Sequence, residues 1–409
     1  MIHPDTMRRI DRWGGIPLCF LLSAVNRLIP SSAGSAARDP RRILIVQLSE
    51  MGAAVLARPA LQHLQQQYPD AELFYLVFEE IKPGLELLDI VPPDRILTLA
   101  TGSLPVLLRD TIRVIRLLRK KHVDAVLDFE LFARCSTVLS RLSGAPVRVG
   151  FDNFAAEGLY RGRLLTHRVQ YNCYRHISLN FLALCRALAA DRTGAPLVKE
   201  RITALDTERF LLAPDQQTTL AVREKLKQAG ASIGPGSRVI ILNPNASGML
   251  PIRKWPLENY IRLARMLLKN QHWHVVLTGA AADLPEVTAL HNAVNHDRCI
   301  SLADRTTLKE LVALYTISDV LVSNDSGPPH FAALTGIRIV VLFGPETPRL
   351  YAPLSPNLDV VYQGLACSPC VSAFNHRATP CTDNRCLKLI APEDIYRRVA
   401  SYLDGCAEG

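Results

Sequence analysis
Asp325, Ser326 and Gly327 lie between an apolar run that ends at Val322 and a pair of prolines, Pro328 and Pro329, with His330 next. β-Branched residues before the turn predict a buried strand, and Ile337 to Phe343 predicts a second. Strand, turn, helix and strand make the crossover of a parallel sheet. Proline fits a first helical turn, and Asp325 or Ser326 is placed to cap it. The amides opening such a helix, with its dipole behind them, can seat an anion such as a diphosphate. An ordinary capped helix explains the turn equally well. Pro328 and Pro329 donate nothing, so the usable donors are those of Ser326, Gly327 and the first turn near His330. His330 suits either a hydrogen bond to phosphate or a buried structural role. Arg253 and Lys254 add cations between a strand and a helix beginning at Pro256, Lys254 reading rather as a solvated charge.

These residues need a scaffold, and the hydropathy pattern supplies one. Buried strands are predicted at Ile43 to Leu48, Leu73 to Phe78, Arg95 to Leu99, Ala125 to Phe129 and Val147 to Gly150, with helices over 53–68, 104–120, 131–142 and 172–189. A second series begins at Arg238: strands 238–242, 274–278 and 319–322, with helices 256–269, 284–294 and 307–316. Continuous apolar strands alternating with helices indicate doubly wound parallel sheets. The boundaries read as 1–40 for a basic helix and linker, 41–190 for a first domain, 191–236 for a connection and 237–409 for a second domain. Two such domains facing each other leave a ligand cleft at the carboxyl ends of their strands.

The chain has 409 residues, 48% hydrophobic and 21% charged, with a net charge of +9. Length favours two domains. The charge suits a phosphorylated substrate or an anionic membrane. Nucleic acid is disfavoured because no helix-turn-helix, zinc-finger or aromatic RNA-binding signature accompanies it. Arg8, Arg9 and Arg12 precede an apolar stretch from Ile16 to Val25, too short to cross a bilayer. A helix lying in the headgroup plane is the leading reading, with a signal peptide or a helix packed on the body as rivals. Of ten cysteines, Cys367, Cys370, Cys381 and Cys386 cluster with a spacing compatible with structural zinc, disulfides or neither.

Four segments resemble glycosyltransferase family 9, the heptosyltransferase-like enzymes of lipopolysaccharide assembly: "ILIVQLSEMGAAVLARPAL" from Ile43, "NPNASGMLPIRKWP" from Asn243, "SNDSGPPHFAALTGIRIVVLFGPETPRLYAPL" from Ser323, and the cysteine segment through "LIAPEDI". The resemblance implies an α/β GT-B fold of two Rossmann-like domains. It also implies inverting sugar transfer without a catalytic metal, the acceptor bound by the first domain and the nucleotide-diphosphate sugar, ADP-heptose above all, by the second. No cofactor is required. By its spacing to Trp255, Arg253 stands where the family has a lysine meeting the diphosphate. Asp325 faces the sugar hydroxyls or caps its helix, and Ser326, Gly327 and His330 surround the diphosphate. Thr278 and Gly279 end a strand at the nucleoside pocket, where Asp283 or Glu286 could hold ribose; a capping role for Asp283 is as good.

One position departs from the family. Members carry Gly-Asp in the first loop, the aspartate serving as general base, whereas here Ala53 follows Gly52. Glu50, in the same loop, is the first candidate to replace it. Glu130, at the end of the strand Ala125–Phe129, is the second, with Arg134 near enough in sequence to pair with it. The expected protein is a transferase on the cytoplasmic face of the inner membrane, with a lipopolysaccharide-core or lipid-linked glycan as acceptor. A sugar-nucleotide epimerase or hydrolase on the same scaffold and a non-catalytic glycan-binding protein are the alternatives.

Overall fold
The computed structural model describes residues 2–28, 39–154, 159–191, 194–203, 210–246, 248 and 250–404, so part of the expected linker and connection (31–38, 192–193 and 204–209) lies outside the described residues. The chain divides into two compact units, Met1–Glu208 and Arg209–Gly409.

In the first unit the strands are β1 (Arg42–Val46), β2 (Glu72–Phe78), β3 (Ile96–Leu99), β4 (Ala125–Asp128), β5 (Val147–Asp152) and β6 (His167–Gln170). They form one parallel sheet in the order β3-β2-β1-β4-β5-β6. The helices are α1 (Pro4–Trp13), α2 (Gly15–Leu28), α3 (Met51–Gln67), α4 (Lys82–Leu88), α5 (Leu104–Lys120), α6 (Arg134–Leu142) and α7 (Ile177–Ala187). Leu44, Val46, Leu76 and Val126 are buried under Val114 and Leu118 of α5, because strands covered on both faces must be apolar throughout. Strand β6 escapes the hydropathy pattern: it has four residues, alternates buried and exposed, and sits at the sheet edge.

The second unit repeats the topology. Its strands β7 (Arg238–Asn243), β8 (Trp273–Leu277), β9 (Cys299–Ser301), β10 (Val320–Asn324), β11 (Arg338–Phe343) and β12 (Leu358–Tyr362) run in the order β12-β11-β10-β7-β8-β9, again all parallel. Helices α8 (Gln216–Gln228), α9 (Leu257–Leu267), α10 (Leu284–Val294), α11 (Leu308–Thr316), α12 (Gly327–Ala332), α13 (Pro348–Tyr351), α14 (Arg385–Lys388) and α15 (Pro392–Asp404) complete it. In both sheets the winding reverses once, between β1 and β4 and between β7 and β10. Ligands of open α/β sheets bind beyond the strand ends at such points.

The N-terminal segment is two helices rather than one, and it is fixed to the body. Asp11 accepts from the amides of Arg134 (2.9 Å) and Cys135 (2.7 Å) at the start of α6, and pairs with the buried Arg134 guanidinium at 3.4 Å. This replaces the expected pairing of Arg134 with Glu130. A Cβ on Gly15 would stand 2.8 Å from Arg134 Cβ, and one on Gly162, at φ +71°, would stand 2.5 Å from Ser23 Oγ. Close approach therefore demands glycine at both places. Asp11→Ala should cost about 3–5 kcal/mol, since it removes the carboxylate from a buried guanidinium that keeps only neutral acceptors such as Tyr160 O, and leaves the first amides of α6 without their acceptor; chemical denaturation measures it. Among the described residues no helix is long and apolar enough to cross a membrane.

Candidate functional site
The first reversal point carries two carboxylates. Glu130 follows β4, and its Oε1 accepts from the amides of Leu48 (2.6 Å) and Ser49 (3.2 Å) in the loop after β1. Directly after that loop, the first turn of α3 carries Ala53, the departure from the expected Gly-Asp. Burial, then the charge of neighbouring Asp128, raises the Glu130 carboxyl to about 7. Asp128 is itself buried and locked: Arg161 pairs with it, and Ser136 (2.9 Å) and Thr137 (3.2 Å) donate to it. The Asp128–Glu130 segment is thus an ion-paired strand end. Phe129, between the two acids, stacks on Phe181 at 4.7 Å and fixes the direction of both. Glu50 precedes α3 with φ +70°, a left-handed conformation costly for a side chain with a Cβ.

The second reversal point is built by asparagines. Asn324, ending β10, donates to Pro244 O (2.7 Å) and accepts from Trp255 N (3.0 Å), which ties the loop after β7 to β10. Asn384 donates to Ile252 O (3.0 Å) and Lys254 O (2.7 Å), gripping the carbonyls on either side of Arg253. The buried Arg253 guanidinium consequently lies 3.6 Å from the buried Asp325 carboxylate. Glu346, two residues beyond Gly344, the glycine that follows β11, is 2% exposed and feels both charges. Burial raises the Asp325 and Glu346 carboxyls, and Arg253 opposes the rise. His330 is buried in α12. Arg253 Nε, Asp325 Oδ2, Asn245 Oδ1 and Glu346 Oε1 are buried without a hydrogen-bond partner. Unsatisfied polar atoms gathered at strand ends are what a polar ligand would satisfy.

Several expectations change. Neither Asp325 nor Ser326 caps α12 through its side chain: Asp325 turns to Arg253, and Ser326 Oγ donates to Asn324 O at 3.2 Å. Gly327 opens α12, which has only six residues. Lys254 is paired with Glu286, not solvated, and that pairing occupies the alternative ribose acid. Asp283 stands at the N-cap position of α10 but makes no side-chain cap to it; its carboxylate instead accepts from Ala280 N at 2.9 Å in the preceding turn. Thr278 is buried, with Asn243 donating to its Oγ1 at 3.1 Å, and Gly279 leaves room for Asn245 Nδ2, which a Cβ would meet at 2.7 Å.

Among the described residues no group of three or more His, Cys, Asp or Glu is arranged to hold a metal, so of the three readings of the cysteine cluster the zinc one gains no support. Cys367 and Cys381 face solvent, Cys370 accepts from Thr379 Oγ1 at 3.3 Å, and Cys386 is buried where a Cβ on Gly344 would meet its sulfur at 3.1 Å. All four are free thiols. The segment instead supports the site, through Asn384 and the packing of Cys386 and Leu387 on the end of β11. Glu346, Asn243, Asn245 and Asn324 were missed in the sequence. Their shared signal is position, each within three residues of a strand's carboxyl end.

A sequence profile described as Glycosyltransferase family 9 (heptosyltransferase) matches residues 111–378. The lipopolysaccharide core heptosyltransferase OpsX of Haemophilus influenzae is 25% identical over 323 residues, 79% of this chain and 84% of that protein. Among solved structures, the ADP-heptose lipopolysaccharide heptosyltransferase II of Escherichia coli superposes with a TM-score of 0.67 at 22% identity, over 88% of this chain and 98% of that one. The E. coli heptosyltransferase WaaC with ADP gives 0.60 at 18% identity, over 88% and 99%. The chain therefore belongs to glycosyltransferase family 9, and it is a glycosyltransferase of the GT-B class built from two Rossmann-like units.

Proposed function
We propose that the chain moves a heptose-type sugar from ADP to a lipopolysaccharide-core or related lipid-linked glycan, with inversion, at the cytoplasmic face of the inner membrane. The second unit holds the donor and the first the acceptor. The observation that carries the reading is the buried Arg253–Asp325–Glu346 cluster with its unpartnered polar atoms. Arg253 meets the diphosphate as charge grows on the leaving oxygen, in a site where a fixed cation is worth far more than in water. Gly327 and His330 donate alongside it. Asp325 and Glu346 accept from sugar hydroxyls, since carboxylates repel phosphate and bind alcohols.

Glu130 is the general base, ahead of Glu50. Its carboxyl near 7 lies where proton transfer is most effective at neutral pH. The two amides on Oε1 fix its direction, which leaves Oε2 to take the acceptor proton as the sugar's anomeric carbon is attacked from the face opposite the leaving group. One such displacement inverts the centre. Because Arg253 supplies the positive charge, the reaction needs no divalent ion. Incubation with ADP-heptose and a heptose-acceptor core, read by mass spectrometry, should add one heptose and release ADP, at an unchanged rate in excess EDTA. Consumption of donor without acceptor would favour the epimerase or hydrolase. No transfer from any nucleotide heptose would favour a binding protein.

A further inference from the structure
A globular helix hides its apolar face and shows its polar one. Helix α2 follows that rule only in part, burying Cys19 and packing Leu22 against Val138 and Leu164. Inward it turns Ser23, which accepts from Arg163 N at 2.8 Å, and Asn26, which accepts from Arg141 and donates to Arg163 O at 3.3 Å. Outward it shows Phe20, 64% exposed, with Leu21 and Leu28. Helix α1 ends in Trp13, 74% exposed, under the Arg12 guanidinium at 5.6 Å. The chain joins this pair to α5, for Ile2 N donates to Thr101 O at 2.8 Å, just before α5 begins. Helix α5 adds an exposed stripe one turn apart, Leu104, Leu108 and Ile112. Of nineteen large apolar side chains exposed among the described residues, eleven lie on these three helices.

Charge follows the same helices. α1, α2 and α5 carry nine Arg or Lys against three Asp, a net of +6 out of +9 for the whole chain. All three acids are engaged: Asp5 with Arg8 at 2.9 Å, Asp11 with Arg134, and Asp110 with Ala100 N at 3.2 Å. Apolar and aromatic side chains set among arginines match one occupant, a bilayer surface with anionic headgroups. We infer that α1, α2 and α5 form one docking face for such a surface. Phe20, Leu21 and Leu108 enter the acyl boundary, Trp13 sits at headgroup depth, and Arg9 and Arg12 lie among the phosphates. The inference deepens the proposed function by saying how the chain meets a membrane-anchored acceptor, yet it is tested without donor or acceptor.

The test uses the full chain and vesicles of phosphatidylglycerol with phosphatidylethanolamine, or of phosphatidylcholine alone. Trp13 reports directly, because Trp255 and Trp273 are 1% and 4% exposed. Anionic vesicles should shift its emission to the blue and pull the chain into the floating fraction, and neutral vesicles should bind about tenfold less or weaker still. Phe20→Ser with Leu21→Ser, Leu108→Ser with Ile112→Ser, and Arg9→Glu with Arg12→Glu should each weaken flotation by about tenfold without altering transfer to a soluble acceptor fragment. An unshifted Trp13 spectrum with anionic vesicles overturns the inference, as does equal binding to both vesicle types. So does a wild-type dimer that Phe20→Ser with Leu21→Ser converts to monomer, which would assign the face to a second copy of the chain.

Discussion

Glu130→Gln lowers kcat by about 10²–10⁴-fold, the usual contribution of a positioned general base, while Glu50→Gln costs less than about tenfold. The pH profile separates this loss from damage. The wild-type kcat/KM falls on the acid side of about 7 as Glu130 takes up its proton, and the variant's residual rate lacks that limb. Stability moves the other way. A carboxyl raised by folding binds its proton more tightly in the native state, so its contribution is complete below the ordinary glutamate range and is lost as pH rises through 7. At pH 8 the glutamine variant should therefore melt no lower than the wild type. Its amide oxygen still accepts from Leu48 and Ser49, and the buried charge is gone. Rate and stability thus part company, which a merely structural glutamate would not produce.

Arg253→Met has the second large effect, on both binding and folding. Affinity for ADP should drop by about 100-fold or more, the scale of losing a desolvated charge-assisted contact. Folding stability should drop by about 3–5 kcal/mol, because Asp325 and Glu346 remain buried without their cation. The deficit should widen as pH rises, since both carboxyls are already raised by burial and protonation relieves them at low pH. Adding Asp325→Asn to Arg253→Met should restore part of the stability and none of the affinity. Calorimetric titration with ADP and urea unfolding at pH 5 and pH 8 measure the two quantities.

The fold was legible wherever burial is two-sided. Nine strands with continuous apolar runs were readable, from Ile43–Leu48 to Ile337–Phe343, because only a parallel sheet covered on both faces needs such runs. β6, β9 and β12 were not, being edge strands of three to five residues that are half polar or too short for a period to register. At the site, Arg253, Asp325 and His330 were legible from motif and strand-end position. Their partners were not, because pairing joins segments far apart in sequence. Arg253 meets an aspartate 72 residues on, and Asn384 steadies it from 131 residues away. Arg134 shows the same limit, since Asp11 outcompetes the nearby Glu130 only once α1 is packed beside α6.

We place Glu130 ahead of Glu50 as the proposed base for a physical reason. Sequence distance from the missing aspartate favours Glu50, in the same loop. What selects Glu130 is the pair of amides aimed at its carboxylate from that loop, together with the burial that brings its proton affinity near neutrality. Glu130 thereby brings a carboxylate against the loop after β1, although the first turn of α3 carries Ala53 where the resemblance expects an aspartate.

A crystal structure of the complex with ADP tests the central claim most directly. The β-phosphate should lie within hydrogen-bond distance of the Arg253 guanidinium, with Asp325 released from that guanidinium and Gly327 or His330 donating to the same phosphate. A nucleotide bound elsewhere, with the Arg253–Asp325 pair intact, would contradict it.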